Sequence, residues 1–382
     1  MSLTLKDQFL LDPDVIFLNH GSFGACPRPV FEAYQAWQRE LERQPVEFLG
    51  RRAAGLLAEA RAALGAYVGA PADDLVFFTN PTMALNLAAR SLNLQPDDEI
   101  LTTDHEYPAT DNMWDFLCAK AGARVVRQHI PLPLTTAEAF ADALFAGVSR
   151  RTRAIFLSHI TSSTALVLPV EEVCRRARAA GIPTIVDGAH APAHVPLDLQ
   201  ALGADIYAAT CHKWLCAPKG SAFLYARPEA QAWLEPLIVS VNWKPAYAAG
   251  ERRFVLENEW LGTRDIAAFL AVPAAIQFQA EHDWEAQRRR CHELAVETRR
   301  RIDALTGLPA LGPDDRRWLG QMVSVRLPAV DEATLKRRLY DEYRIEAPII
   351  TWRGQVLIRV SFQAYNDEAD ADALVAALGR LL

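Results

Sequence analysis

Between residues 74 and 227 short apolar runs alternate with amphipathic segments. The runs DLVFFT (74–79), DEILTTD (98–104), ARVVRQHI (123–130), RAIFLSHI (153–160), PTIVDGA (183–189), ADIYAATCH (204–212) and SAFLYAR (221–227) read as strands. TMALNLAARSL, ATDNMWDFLCAKAG, TAEAFADALFAGV and VEEVCRRARAAG lie between them with helical spacing. Apolar runs with little alternation mark strands buried on both faces. The expected fold class is therefore α/β, a mostly parallel mixed sheet sandwiched by helices. In such sheets ligands gather outside the carboxyl ends of the strands. The polar residues that follow each run are thus the first candidates for a site.

The last hundred residues differ. A long helical stretch, about 265–305, leads to MVSVRLP, a helix in DEATLKRRLYDEY, the run VLIRVSF and a final helix in NDEADADALVAAL. This predicts a smaller α+β unit joined by the long helix. Within VLIRVSF, Val356, Ile358, Val360 and Phe362 share one face, and Arg359 points the other way with Leu357 and Ser361. No internal repeat or low-complexity linker interrupts the chain.

Composition narrows the function classes. The 382 residues are 51% apolar and 23% charged, enough for a large core, and net charge is −7. The acidic balance, with no long basic run, argues against nucleic acid and anionic membrane as partners. Six cysteines are scattered without a CxxC pair, as expected of reduced thiols in the cytoplasm. The N-terminal residues lack a signal-peptide pattern, and no apolar run is long enough to span a bilayer.

Of the 40 basic residues only six are lysines, and two of those, Lys213 and Lys219, fall in ATCHKWLCAPKG. A lysine can lose its proton and attack a carbonyl, which arginine cannot do. Lys213 follows one strand. Asp187 ends another and is followed by His190, and a carboxylate there is costly unless paired. Thr79, Asn80, Pro81 and Thr82 open a helix, a potential anion site. His190 and His194 have the spacing of a helical metal site, but Pro192 and Pro196 oppose a continuous helix, so no metal is expected. An anion site, a buried carboxylate and a lysine at neighbouring strand ends match what pyridoxal 5′-phosphate requires: phosphate donors, a partner for the pyridine nitrogen and a Schiff-base amine.

VDGAH, ADIYAATCHKW, NPTMALN, LNHGSFG, WLGTRD and RVSFQAYN together resemble the class V aminotransferase-like branch of fold-type I pyridoxal phosphate enzymes. The resemblance is closest to isopenicillin N epimerase-like proteins and runs from about residue 15 to 375. It implies a cofactor-binding large domain over 20–265, with 1–19 and 266–382 forming a small domain and connecting helix. Lys213 would form the Schiff base, Asp187 would pair with the ring nitrogen, and His190 would sit near the phenolic oxygen. Thr82, Met83, Thr210 and His212 would hold the phosphate. Tyr107 would stack on the ring, with His105 the alternative two residues away, and Ser162 would lie near the phenolic oxygen. Gly262 and Thr263 would reach the phosphate of a neighbouring subunit, implying a homodimer with shared sites. Arg359 would take the carboxylate of an amino-acid substrate, with His20 and Gly21 beside it and Trp352 and Arg353 near its side chain.

Two departures stand out. Ala165 occupies a position that is usually glycine, and IEAPIITWRGQVLIRV lacks the cysteine of desulfurases, which disfavours persulfide chemistry. The resemblance implies an enzyme acting at the α-carbon, with epimerisation favoured. A carbon–sulfur β-lyase, an aminotransferase and a non-catalytic cofactor-binding regulator remain open. His20 and Tyr107 are the candidates for a second acid.

Overall fold

The computed structural model describes residues 5–382, so the first four residues of the 1–19 segment lie outside it. Among the described residues twelve strands form three sheets. They are β1 (Ile16–Phe17), β2 (Leu75–Phe78), β3 (Glu99–Thr103), β4 (Arg124–Gln128), β5 (Thr152–Ser158), β6 (Thr184–Asp187), β7 (Ile206–Thr210), β8 (Ala222–Ala226), β9 (Met322–Arg326), β10 (Ile345–Glu346), β11 (Ile349–Trp352) and β12 (Gln355–Ser361). The large sheet has seven strands in the order β2-β8-β7-β6-β5-β3-β4, and only β8 runs against the others.

Both faces of that sheet are buried away from its edge strand β4, as the unalternating runs require. In β5, Ile155 and Leu157 pack into one core while Ala154 and Phe156 pack into another. In β7, Tyr207 and Ala209 face the first core, and Ile206 and Ala208 the second. All seven runs read as strands between 74 and 227 form this one sheet, in line with the expected α/β class.

A third core contains Leu18, Leu294, Val323, Leu339, Ile358, Val360, Phe362 and Leu374. It lies under the antiparallel sheet β11-β12-β9 and the helices Trp284–Thr306, Glu332–Tyr343 and Glu368–Leu381. The expected split of VLIRVSF holds: Ile358, Val360 and Phe362 enter this core, and Leu357 joins the first core, with Arg359 two residues further along the strand. The N-terminal β1 pairs in parallel with β10.

The expected helix over about 265–305 is not continuous. It divides into Ala267–Leu270, Val272–Glu281 and Trp284–Thr306. Pro273 lies in the first turn of the second piece, where its missing N–H costs nothing. Asp283, at φ 42°, ends the run and caps the third piece through Ala286 N–H.

Candidate active site

The carboxyl ends of five parallel strands converge on one cavity of about 220 Å³. β6 ends at Asp187 and β5 at Ser158. β7 ends at Thr210 and continues to His212 and Lys213. β2 leads to Asn80, Pro81 and Thr82, and the loop after β3 delivers Tyr107; all of these line the cavity. Ser22, Phe23, Ile160, Ser162, Ala189 and His190 complete the wall.

Lys213, Asp187 and Arg359 come near one another here without an ion pair among the described residues; Asp187 and Arg359 are buried and Lys213 is half-buried. Burial, with the nearby Arg359 charge, brings the Lys213 amine down from 10.5 to about 8. Burial raises Asp187 above the usual carboxylate range, opposed by the Ala189 N–H and by Lys213. Asp187 Oδ1 accepts from Ala189 N–H at 2.9 Å, and its other oxygen has no donor among the described residues. Arg359 is 3% exposed. Its Nη1 donates to Ser162 O (2.9 Å) and Oγ (3.1 Å), its Nη2 donates to Ser22 Oγ (2.8 Å), and its Nε has no partner. A buried guanidinium held by neutral oxygens and lacking a carboxylate is a site prepared for an anion.

The N-terminal strap that carries Ser22 needs glycine where it crosses the lysine loop. A Cβ on Gly24 would lie 2.0 Å from His212 O and 2.8 Å from Lys213 Cα, and the residue has φ +69°. Only glycine adopts that backbone at that separation. The glycine of DGAH has a packing cause: a Cβ on Gly188 would sit 2.0 Å from the Tyr207 ring.

Several expected residues lie elsewhere. His20 is fully buried behind the cavity wall. Its Nε2 donates to Lys213 O at 3.0 Å, its Nδ1 meets Tyr365 Oη at 3.0 Å, and burial lowers its pKa to about 3. It supports the lysine loop and does not reach substrate space. Gly21 packs against Met322, Ser361 and His190. The Met83 N–H donates to Asn80 Oδ1 at 2.9 Å and its thioether faces Thr79, so neither group lines the cavity. Tyr107 lines the cavity, whereas His105 is buried against Trp352 and bonded to Thr164 Oγ1 at 2.9 Å. Trp352 Nε1 donates to the Asp104 carbonyl and Arg353 pairs with the Asp104 carboxylate, which fastens the β11–β12 turn to the loop bearing Tyr107. Gly262 and Thr263 lie outside this cavity, Thr263 exposed and Gly262 at φ +110° with open space around it.

Asn80, read in the sequence as part of a helix-opening anion site, lines the cavity, whereas the sequence reading missed Ser22, Ser158 and Glu106. Glu106 is buried behind Ser158, bonded to its N–H (2.8 Å), its hydroxyl (2.6 Å) and Thr103 Oγ1 (2.5 Å), and burial raises its pKa to about 8. His194, weighed as a metal ligand, has both nitrogens engaged, Nδ1 with His190 O and Nε2 with Gln321 N–H.

The residues present fit pyridoxal 5′-phosphate. The unused Asp187 oxygen suits a protonated ring nitrogen, the Lys213 amine is poised near neutrality, and the helix Pro81–Ser91 points its N-terminal turn at the cavity.

The family model Aminotransferase class-V matches residues 24–374. Isopenicillin N epimerase of Streptomyces clavuligerus is 39% identical over 387 residues, 98% of this chain and 97% of the relative. A probable chloroplastic L-cysteine desulfhydrase of Arabidopsis thaliana is 28% identical over 97% of this chain and 84% of that protein. The apo structure of a cysteine desulfurase from Thermococcus onnurineus superposes with a TM-score of 0.84 at 21% identity, covering 99% of this chain and 97% of that one, and shares the fold. The chain belongs to the class-V aminotransferase family and is a pyridoxal 5′-phosphate-dependent enzyme.

Proposed function

We propose that the protein acts at the α-carbon of an amino acid and that its net reaction is epimerisation. The observation that carries the α-carbon reading is Arg359, a buried guanidinium with no carboxylate partner in the same site as Lys213. Arg359 binds the substrate carboxylate, and Ser162 and Ser22 orient its fork. Asp187 would hold the pyridine nitrogen, His190 the phenolic oxygen, and Thr82 with the helix amides beside it the phosphate. Thr210 and His212 also line that wall, although Thr210 Oγ1 donates to Ala189 O and His212 Nδ1 to Ser221 O in this structure. When bound, the cofactor supplies an electron sink for a carbanion at the α-carbon.

Lys213 would take the α-proton from one face, and inversion requires a second acid to return a proton from the opposite face. An amine near pH 8 is matched to that task at physiological pH. Tyr107, 45% exposed on the cavity wall, is the candidate for the second proton donor. The full-length 39% identity to an isopenicillin N epimerase supports epimerisation. A second reading, carbon–sulfur β-elimination, draws support from the desulfhydrase relative and from the lack of a cysteine on the 345–358 segment, which elimination does not need. Six free thiols fit a reducing cytoplasm, and the exposed Gly262–Thr263 loop fits a homodimer in which it reaches the partner's site.

The test is incubation of the purified protein with L-amino acids and S-substituted cysteines in heavy water. Deuterium at the α-carbon with inverted configuration is the expected result. Pyruvate, ammonia and a thiol would establish the lyase instead. Lys213→Ala should remove both exchange and the yellow colour of the loaded protein; a coloured, active variant sinks the assignment.

A further inference from the structure

The residue next to the lysine, Trp214, has no part in the chemistry described above, yet it is fully buried beneath the cavity. Its Nε1 lies 3.2 Å from His190 Nδ1. An indole N–H is a donor with no acceptor lone pair, so His190 Nδ1 must present its lone pair. A neutral imidazole carries one proton, which therefore sits on Nε2. Nε2 is the nitrogen on the cavity side, 3.3 Å from Lys213 Nζ. Above about pH 8, where the Lys213 amine is mostly neutral, His190 donates and the amine accepts in that contact.

The imidazolium form would set two N–H groups against each other at Nδ1. Burial and the charges of Lys213 and Arg359 also hold the His190 pKa well below 6.5. Trp214 itself is immobilised. His194 lies against its ring with centroids 3.9 Å apart, His20 flanks it at 5.0 Å, and Gln279 Nε2 donates to its carbonyl at 3.1 Å. His194 also fixes the His190 backbone. Gln321 N–H donates to His194 Nε2 at 2.6 Å, which leaves Nδ1–H to donate to His190 O at 3.0 Å.

We propose that Trp214 is a positioning residue that locks His190 in its Nε2–H tautomer, making it a permanent hydrogen-bond donor into the cavity. The use of that donor on the phenolic oxygen of the cofactor rests on the reading in the preceding subsection. The tautomer itself does not.

Nitrogen-15 spectra of histidine-labelled apoprotein, with His190 assigned through His190→Gln, read the tautomer directly and require no variant at Trp214. The expected spectrum has His190 protonated at Nε2 alone. Trp214→Phe, which keeps a buried ring and deletes the donor, should bring in the Nδ1–H form. An Nδ1–H signal in the unaltered protein, or an unchanged spectrum in Trp214→Phe, overturns the proposal. Affinity for pyridoxal 5′-phosphate tests the consequence. Trp214→Phe should weaken it by about three- to tenfold, the range of one hydrogen bond. In a His190→Gln background, where an amide donates regardless, the same change should matter by less than about twofold. Equal losses in both backgrounds would make Trp214 merely structural and refute the role. Failure of the unaltered protein to bind the cofactor would refute the proposed function and this consequence, and the tautomer spectrum would still be decided separately.

Discussion

Lys213 illustrates how one buried side chain acquires its chemistry. Its ammonium loses hydration and faces the Arg359 charge, and both effects favour the neutral amine, while Asp187 pulls the other way. Because its pKa falls from 10.5 to about 8, the amine is mostly charged below pH 8 and mostly neutral above it. Capture of pyridoxal 5′-phosphate by the apoprotein, trapped with borohydride, should therefore slow by about tenfold for each pH unit below 8 and level off above it. A rate that keeps climbing to about pH 10, the range of a free lysine, would show that the site does not depress the amine. Lys213, Asp187 and Arg359 were legible in the sequence because each stands out against its local pattern: a rare lysine after an apolar strand, an acid ending one, an arginine inside one. Glu106 and Ser22 were not. An acid in HEYPA and a serine in HGSFG look like surface residues, and only the approach of β5 to the β3 loop, or of β12 to the strap, shows what they touch.

At the scale of elements, hydrophobic patterning located every strand of the large sheet because nearly all are buried on both faces, the half-exposed edge strand β4 being the exception. It missed β1, β10 and β11, which are two to four residues long and too short to show a period. Ala165 adopts φ +56°, the left-handed backbone that explains why glycine is usual there, and a lone methyl is the smallest burden a side chain can place on it. The strap His20–Gly24 joins the elements of the site. Ser22 holds Arg359, His20 holds the Lys213 carbonyl, and Gly24 allows the close crossing. Gly24→Ala should destabilise the protein by about 2 kcal/mol or more, since the new Cβ meets backbone that cannot rotate away. The same displacement of the lysine loop should weaken cofactor retention. Thermal melts and cofactor dissociation rates read the two effects, and a variant as stable and as tightly loaded as the parent would show that the crossing is dispensable.

The whole molecule places Arg359 on the small sheet and Lys213 on the loop that follows a strand of the large one, so the proposed site exists only where the two meet. The Trp352 and Arg353 contacts to Asp104 fasten that junction. Apolar side chains also stand out in water on one segment: Ile238, Val239, Val241 and Trp243 are 40%, 68%, 82% and 47% exposed, and Phe23 at the cavity is 72% exposed. Such a group suits burial against a second chain. No helix among the described residues is long and apolar enough to cross a bilayer. If Gly262 and Thr263 complete the partner's phosphate site, two differently disabled chains should rescue each other. Thr263→Glu places a negative charge where the partner's phosphate would bind and leaves its own Lys213 intact. Lys213→Ala keeps the loop and loses the amine. In a mixed dimer, one site combines a sound lysine with a sound loop, so random mixing should restore about a quarter of the parent activity from two inactive preparations. Full activity of Thr263→Glu alone, or no recovery after subunit exchange verified by tagged copurification, would mean that each chain builds its site unaided.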